Sequence, residues 1–449
     1  MSPDRRQFLG RAALGVGGLA AAALHAPASP AARAKRVIWL YMDGGISHLD
    51  TFDPKPELTK RHGQPFPLKM EATQFDSNGP CLKSPWATRQ RGQSGLWVSD
   101  LLPRVAERAD DLAVLRSMTN ESAVHASANY WMHTGWGTAG RPSAGAWVQY
   151  ALGSEAKELP GFVVLNGGMI PTGGLDNFAP GFLPARHGPA VFAPTDPAVP
   201  NLTAADPAAQ ARRRQLARGL DRRFSDRHGR PDPVEAALAA AELAGRMQTA
   251  VPDLLDLSRE SKQAHALYGL DDPDEHCRTY ARQCLLARRL VERGTRFVAV
   301  TVPRIDKDNR WDAHGGLKRN HEIHAHAVDR PIAGLLADLK ARGLWDDVLV
   351  VFATEFGRTP FGQGGDGRDH NQYGFSVWLA GAGVKGGTAY GATDEFGYKA
   401  VEGKLQVHDL HATVLHLLGL DHEALTYRSG GRDFRLTDVH GRVVREVLV

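Results

Sequence analysis

The amino-acid sequence predicts an α/β fold with a central, mainly parallel sheet and helices on both of its faces. Two observations lead to this prediction. Apolar stretches rich in β-branched and aromatic residues alternate with segments of helical periodicity, as expected for a chain wound around a parallel sheet. These stretches are unbroken, which is typical of strands buried on both faces. The six candidate strands lie at residues 36–42, 112–116, 162–165, 296–302, 348–353 and 375–380.

Helix signals occupy the segments between the strands. Pro233 falls in a predicted first turn, where proline is favoured. A longer helix at residues 274–292 is followed by Gly294, a residue typical of helix C-termini. Another helix is predicted over residues 322–344, and Pro331 inside it should bend or restart it.

The chain has 449 residues, of which 42% are hydrophobic, so it can bury the core of one large domain. We expect that domain to span residues 35–449, with a helical insertion at about residues 204–293. The net charge of +4 is small, and an arginine-rich run at residues 211–230 is typical of a solvated helix. No nucleic-acid partner is therefore expected. The cysteines form no CxxC pair, and we expect all of them to be buried, inert thiols (Cys81, Cys277, Cys284).

The first 34 residues are typical of a twin-arginine signal peptide. Arg5 and Arg6 precede a weakly apolar run at residues 12–24 and two small-residue cleavage sites. This run is too short and too rich in glycine for a permanent membrane span. We therefore expect export to the periplasm or the extracellular space. The expected partners include the twin-arginine export machinery, and no stable membrane span is expected in the mature form.

Carboxylate and imidazole side chains follow several predicted strands. Asp43 follows the first strand, Asp312 and His314 follow the fourth, Glu355 follows the fifth, and His370 precedes the sixth. The carboxyl ends of parallel strands meet at one edge of a sheet, so these groups could converge on a divalent metal ion. Mixed carboxylate and imidazole ligands suit zinc, manganese or iron, whereas carboxylates alone suit magnesium or calcium. The alternative for each cluster is helix capping or a surface ion pair.

Three further side chains are candidates for catalysis. Arg358 and Arg368 could hold the oxygens of a tetrahedral anion, since guanidinium groups bind such oxygens in pairs. His125 follows a predicted strand and precedes a helix, flanked by Ser122 and Ser127, and it could act as nucleophile, general acid or metal ligand. No GxSxG elbow is present, which disfavours a Ser-His-Asp hydrolase.

The order of these segments resembles the alkaline phosphatase and sulfatase superfamily. Residues 351–357, 374–387 and 407–420 are similar to its metal-ligand, glycine-rich and C-terminal helix motifs. Nearly the whole chain also resembles the domain-of-unknown-function 1501 family of twin-arginine-exported proteins, whose resemblance is carried by residues 44–56, 311–314 and 355–360. The resemblance implies an alkaline-phosphatase-like fold and metal-dependent hydrolysis of sulfate or phosphate esters.

The chain departs from the superfamily pattern at two places. Phe356, which cannot bind a metal, follows Glu355, and the sulfatase nucleophile position falls on His125 without a C/S-x-P-x-R motif. Formylglycine chemistry is thus disfavoured, and one metal is favoured over two. Two hypotheses stay open: a hydrolase of small-molecule or polysaccharide esters, and a catalytically inactive relative that binds anionic polysaccharide or envelope material. A purely structural role in the envelope is a weaker third.

Overall fold

The computed structural model describes residues 31–449 except 74, 76, 195–197, 200–205, 230–231 and 306–309. The predicted signal peptide therefore lies almost entirely outside the described residues. The strands are β1 (Arg36–Tyr41), β2 (Thr88–Arg91), β3 (Leu96–Ser99), β4 (Leu112–Thr119), β5 (Phe162–Leu165), β6 (Ala190–Phe192), β7 (Phe297–Thr301), β8 (Val348–Ala353), β9 (Gly357–Gln363), β10 (Gly367–Asn371), β11 (Phe375–Gly381), β12 (Thr388–Tyr390), β13 (Ala392–Thr393), β14 (Ala400–Glu402), β15 (Leu405–Gln406), β16 (Tyr427–Ser429) and β17 (Arg432–Phe434). The α-helices are α1 (Pro56–Lys60), α2 (Pro103–Ala106), α3 (His125–Thr134), α4 (Ala144–Leu152), α5 (Pro207–Arg227), α6 (Asp232–Leu255), α7 (Lys262–Tyr268), α8 (Glu275–Glu292), α9 (Leu317–Ala341) and α10 (Val407–Leu417).

A nine-stranded sheet forms the centre of the fold, in the order β12-β4-β11-β8-β1-β7-β5-β6, with β15 also paired to β4. β11 runs antiparallel to both of its neighbours, and the other pairings are parallel. In the middle of the sheet, Trp39 lies level with Ala299 on β7 and Val351 on β8. All six predicted strands belong to this sheet, which confirms the predicted fold class.

Successive residues of β1 point to opposite faces of the sheet and enter two separate apolar layers. Ile38 and Leu40 face the layer that includes residues of α8 and α9, whereas Trp39 and Tyr41 face the layer that includes residues of α4 and α10. Because both faces are covered by helices, the strands can be apolar throughout, as the sequence pattern indicated.

Within the described residues, the secondary-structure elements between β6 and β7 are helices. They include α5, α6, α7 and α8, in agreement with the helical pattern of the sequence. Asp274 caps α8 by accepting the backbone N–H groups of His276 at 2.6 Å and Cys277 at 3.1 Å. Gly294 follows the end of this helix with a positive φ of 95°, as expected of a C-terminal glycine. The three cysteines are buried and unpaired.

Pro331 does not restart the helix that contains it, because α9 is one continuous element from Leu317 to Ala341. The expected bend is not tested by this continuity, and tertiary packing accounts for the absence of a restart. Val328, Ile332 and Leu335, on either side of the proline, are all at most 1% exposed. The burial of both halves of the helix offsets the hydrogen bond that proline removes.

Four connections at the carboxyl ends of the central strands build the candidate site. The loops after β1, β4 and β7 supply one or more residues each, and the chain after β8 leaves the sheet as the antiparallel hairpin β9–β10 before it returns as β11. β10 has a polar sequence, yet all five of its residues are buried. No helix within the described residues is long and apolar enough to cross a bilayer.

Candidate metal centre

Four predicted site residues meet around one carboxylate, and we call His125, Asp312, His314 and His370 the donor cluster. Asp312 lies in its centre. Its Oδ2 is 3.2 Å from Nε2 of His125, and its Oδ1 is 2.9 Å from Nε2 of His314 and 3.1 Å from Nε2 of His370. Residues from the first turn of α3, the loop after β7 and the strand β10 are thus brought within bonding distance of one point.

Each of the three imidazoles has its Nδ1 held by an acceptor. Nδ1 of His370 is 2.6 Å from the carbonyl oxygen of Ala123, and Nδ1 of His125 is 2.6 Å from Oε1 of Glu355. Nδ1 of His314 contacts Oε1 of Gln363. Carbonyl and carboxylate oxygens only accept hydrogen bonds, so Nδ1 carries the proton in the neutral rings. The three Nε2 atoms then present lone pairs to the centre of the cluster, the arrangement that metal-binding histidines adopt.

These lone pairs require a cation between them. Nε2 of His314 and Nε2 of His370 are 3.0 Å apart, and the buried Nε2 of His125 lies 3.2 Å from Oδ2 of Asp312. Unprotonated nitrogens and a carboxylate at such distances repel one another unless a proton or a metal ion intervenes. Ligands of a tetrahedral zinc ion lie about 3.3 Å apart. The ligand atoms of His125, Asp312 and His370 all lie within 4.8 Å of one another, and so do those of His314, Asp369 and His370. The donor cluster therefore fits a borderline divalent ion such as zinc, and it fits magnesium less well because imidazole predominates.

Glu355, which the sequence predicts as a metal ligand, lies behind His125 and is completely buried. Its role as a metal ligand stays a prediction. Besides Nδ1 of His125, its Oε1 accepts the backbone N–H of Gly44 at 2.8 Å, and its Oε2 accepts the hydroxyl of Thr354 at 3.2 Å. Gly44 has a φ of 109°, and a Cβ at this position would lie 2.6 Å from the backbone nitrogen of Trp311. Only glycine allows this close approach between the first strand's exit and the loop that carries Asp312.

The electrostatics of the cluster reflect the same need for positive charge. Burial alone would raise the pKa of Asp312, but Arg358 and the three imidazoles hold it well below its ordinary value. Burial disfavours the charged form of His125, yet hydrogen bonds to Asp312 and Glu355 raise the pKa of His125 to about 9. For His370, burial dominates and lowers the pKa to about 4. Without a metal, a proton on His125 would separate the two carboxylates.

Asp43 is also at this edge of the sheet, but its described contacts are with other groups. Its Oδ1 accepts a hydrogen bond from Nδ2 of Asn129 at 3.2 Å, and its Oδ2 pairs with the guanidinium of Arg310. Asn129 in turn accepts the hydroxyl of Tyr41 at 2.5 Å. Asp43 is fully buried, and it anchors Arg310, whose side chain is 19% exposed. A role for Asp43 as a metal ligand stays a prediction.

The two predicted anion-binding arginines are both completely buried and bonded to the protein. Arg358 donates to Oδ1 of Asp312 at 2.6 Å and to the carbonyl oxygens of Gly45 at 2.8 Å and Arg368 at 3.1 Å. Arg368 donates to Oδ2 of Asp50 at 2.9 Å and to the carbonyl oxygen of Thr359 at 3.0 Å. Arg358 thus positions Asp312 directly, whereas Arg368 belongs to a neighbouring ion pair. Their predicted contact with a bound anion stays a prediction.

Sequence reasoning missed three polar side chains of the site. Gln363 contacts His314, and Asp369 lies 3.9 Å from the same ring. Arg310 is a partly exposed cation beside Asp43. Gln363 is the last residue of a strand whose seven residues are all buried. If the sequence had allowed this strand to be recognised, a polar residue in it would have indicated a site residue. For Arg310, no sequence signal distinguishes it from other arginines.

One side of the donor cluster is open to solvent. The side chains of Asp312 and His314 are each 28% exposed, whereas that of His370 is 3% exposed and that of Glu355 is fully buried. The ring of Phe75 lies edge-on to His314 with centroids 4.8 Å apart. A ligand would therefore approach from the side of Asp312 and His314, next to an exposed aromatic ring.

Solved structures of similar shape include a lipoteichoic acid synthase, a sulfatase and an alkaline phosphatase. The lipoteichoic acid synthase LtaP from Listeria monocytogenes is 11% identical, with coverage of 87% of this chain and 74% of LtaP and a TM-score of 0.38. The PsFucS1 sulfatase from Pseudoalteromonas sp. is 14% identical, with coverage of 94% and 73% and a TM-score of 0.36. The alkaline phosphatase from the Antarctic bacterium TAB5 is 12% identical, with coverage of 80% and 94% and a TM-score of 0.33.

These similarities are loose and carry no statement about the activity of this chain. No functionally curated protein sequence matches the chain significantly. The sequence profile of one family, however, matches residues 34–448, which is nearly the whole chain. The chain belongs to the family described as "Protein of unknown function (DUF1501)".

Proposed function

We propose that this protein is an exported, metal-dependent hydrolase of sulfate or phosphate esters. One observation carries the proposal: the Nε2 atoms of His125, His314 and His370 converge on the carboxylate of Asp312 while an acceptor holds each Nδ1. Such a set of donors is costly to bury without a cation, and a fold that brings it together from three separate segments supports the presence of one.

The donor cluster would hold one divalent ion, of which zinc and manganese suit the ligands best and calcium and magnesium less well. The bound ion would supply Lewis-acid polarisation of the ester's oxygen and would lower the pKa of water. The protein's own residues do the rest. Glu355 and the carbonyl of Ala123 fix the orientation of His125 and His370, and Arg358 fixes that of Asp312.

The attacking group would be water rather than a side chain. In the described part of the chain, no serine, threonine or cysteine side chain is hydrogen-bonded to an imidazole of the donor cluster, and Ser127 donates instead to the carbonyl of Gly137 at 2.9 Å. His125 is held between Glu355 and Asp312, so attack through Nε2 would require it to give up its contact with Asp312. It serves better as a ligand that a buried carboxylate orients.

The substrate's anionic group needs a cation of its own. Arg358 and Arg368 are fully buried, and their N–H groups face acceptors of the protein. Arg310 is partly exposed and lies near Asp43 and the negative charges of Glu355 and Asp312. We assign to Arg310 the contact with the ester's oxygens on the open side of the cluster.

The test is a metal count followed by an ester assay. The exported form is purified without chelator, its metal is measured per chain, and aryl sulfate, phosphomonoester and phosphodiester are offered as substrates. We expect about one metal per chain, with turnover of at least one ester class. Metal below about a tenth of stoichiometry together with no turnover would overturn the proposal.

A second candidate function is a metal-containing binding protein without turnover. The saturation of Arg358 and Arg368 by protein acceptors and the lack of a hydrogen-bonded side-chain nucleophile in the described residues favour it. Such a protein would bind anionic polysaccharide or envelope material. Stoichiometric metal, no hydrolysis of any of the three esters and saturable binding of a sulfated polysaccharide would establish this alternative.

A further inference from the structure

Helix α5 carries the largest concentration of positive charge in the chain. Its residues include seven arginines and two aspartates, although the whole protein has a net charge of only +4. The helix has 21 residues, which corresponds to a length of about 30 Å. The charge is therefore a property of one extended element and is not spread over the surface.

One face of α5 packs against α6. Nη1 of Arg214 donates to Oε1 of Gln248 at 2.7 Å, Nε of Arg218 lies 3.7 Å from Oε1 of Glu242, and the buried hydroxyl of Ser225 donates to Oε1 of Glu235 at 2.5 Å. These contacts are polar and lie on one side of the helix, so they fix which side faces outward.

The outward side presents a stripe of large apolar side chains. Leu216, Leu220 and Phe224 follow one another at a spacing of four residues and are 67%, 56% and 50% exposed. At 100° per residue, Arg213, Arg223 and Arg227 project from the same side as this stripe. Three large apolar side chains exposed in a row do not stabilise a helix that faces only water. We therefore infer that another surface covers the stripe.

We propose that α5 docks this protein on an anionic lipid surface, independently of the proposed function. Leucine and phenylalanine would enter the boundary between headgroups and acyl chains, and the arginines would lie at the level of the lipid phosphates. Their aliphatic stems allow the guanidinium groups to reach the phosphates while the backbone lies lower. A second copy of the chain is a poorer occupant, because pairing two such faces would bring arginines against arginines.

The experiment measures co-sedimentation of the exported form with phosphatidylcholine vesicles that do or do not contain phosphatidylglycerol. The stripe variant changes Leu216, Leu220 and Phe224 to serine. The matched control changes Val401, Val439 and Leu267, which are 66%, 72% and 37% exposed, to serine. A charge variant changes Arg213, Arg223 and Arg227 to glutamine and keeps the stripe. Circular dichroism checks the helix content of each variant.

We expect binding to anionic vesicles alone, weakened by salt and reduced about tenfold or more in the stripe variant. The charge variant should lose about fivefold for each arginine, and the control should bind like the unchanged protein. Equal binding by the stripe and control variants would overturn the proposal. It would also fail if the unchanged protein ignored anionic vesicles and formed a dimer that the stripe variant abolished.

Discussion

Glu355 and His125 form a carboxylate–imidazole pair in which Oε1 and Nδ1 are 2.6 Å apart. The pair joins the exit of a central strand to the first turn of a helix, and it directs the far side of the imidazole towards Asp312. In this position the carboxylate acts through the histidine, by fixing its tautomer and increasing its basicity.

Replacing Glu355 by glutamine should therefore weaken metal binding without abolishing it. The variant keeps the size of the side chain but removes the charge that faces Nδ1 of His125. We expect a loss of about 10- to 100-fold in metal affinity, measured by competition with a fluorescent chelator. Glu322→Gln, on the exposed side of α9, serves as the control and should bind metal normally. Unchanged affinity of Glu355→Gln would contradict the orienting role.

Removing a ligand should have a larger effect than removing its orienting partner. His370→Ala and His314→Ala each delete an Nε2 atom that lies within 3.1 Å of Oδ1 of Asp312. Metal content and ester hydrolysis should fall together to background in both variants. His326→Ala, whose side chain is 55% exposed and paired with Asp272, should retain both. If either ligand variant kept stoichiometric metal, the assignment of the donor cluster would be wrong.

The Arg368–Asp50 pair is predicted to stabilise the fold. Both side chains are completely buried, so removal of one partner leaves an unpaired buried charge. Arg368→Gln and Asp50→Asn should each lower the free energy of unfolding by about 3–5 kcal/mol in urea titrations. The double variant should lose less than the sum, because the two changes remove the same interaction.

An exposed ion pair serves as the control for the buried Arg368–Asp50 pair. Arg428 and Asp433 are 3.2 Å apart, with side chains 68% and 55% exposed. Arg428→Gln should change the free energy of unfolding by less than about 1 kcal/mol. If Arg368→Gln were equally mild but raised the KM for the ester, Arg368 would be a substrate contact as the sequence predicted.

Buried neutral histidines should make the protein sensitive to acid. Burial is the main cause that lowers the pKa to about 3 in each of His133, His321, His324 and His411. In the unfolded chain their pKa is near 6.5, so between about pH 6.5 and pH 3 the unfolded state binds more protons. Stability is therefore complete above pH 6.5 and is lost as the pH falls through this range.

Each of these histidines contributes about 1.4 kcal/mol per pH unit to that loss. Urea titrations at neutral pH and near pH 5.5 should show a large drop in the free energy of unfolding. His133 packs against Tyr41 and Phe178, with ring centroids 4.3 Å and 4.8 Å away, so His133→Phe should fit and flatten the pH dependence by about one proton. His326→Ala should leave the slope unchanged, and an equally steep slope in His133→Phe would argue against this account.

The sequence predicted the sheet better than the site. The six apolar strands were recognisable because both of their faces are buried, and their apolar character needs no knowledge of the neighbours. The hairpin β9–β10 was not recognised as strands, because Arg358, Arg368 and Asp369 are polar although buried. Sequence patterns assign such residues to the surface, and only tertiary ion pairs and backbone acceptors show otherwise.

The same limit applied to the roles of individual residues. Asp312 could be placed at this edge from the rule that the carboxyl ends of parallel strands meet there. His370 precedes β11 and reaches the same edge because β11 runs antiparallel to β8, and the structure brings the two side chains to 3.1 Å. The rule could not show that Glu355 points at His125 rather than at the centre, since that depends on side-chain direction. The hydrogen-bond partners of Arg358 and Asp43 could not be predicted from the sequence either, because they are backbone carbonyls and side chains distant in sequence.

After β8, the chain leaves the central sheet as the antiparallel hairpin β9–β10 and returns to it as β11, the strand beside β8. The residues that this hairpin supplies to the donor cluster all lie in the sequence between β8 and β11, and these two strands pair directly with each other. A descendant of this protein could therefore shorten the hairpin to a tight turn and retain its architecture while losing the proposed metal site. Gene duplicates with this deletion would be natural scaffolds devoid of metal, and their folding should be indifferent to chelators.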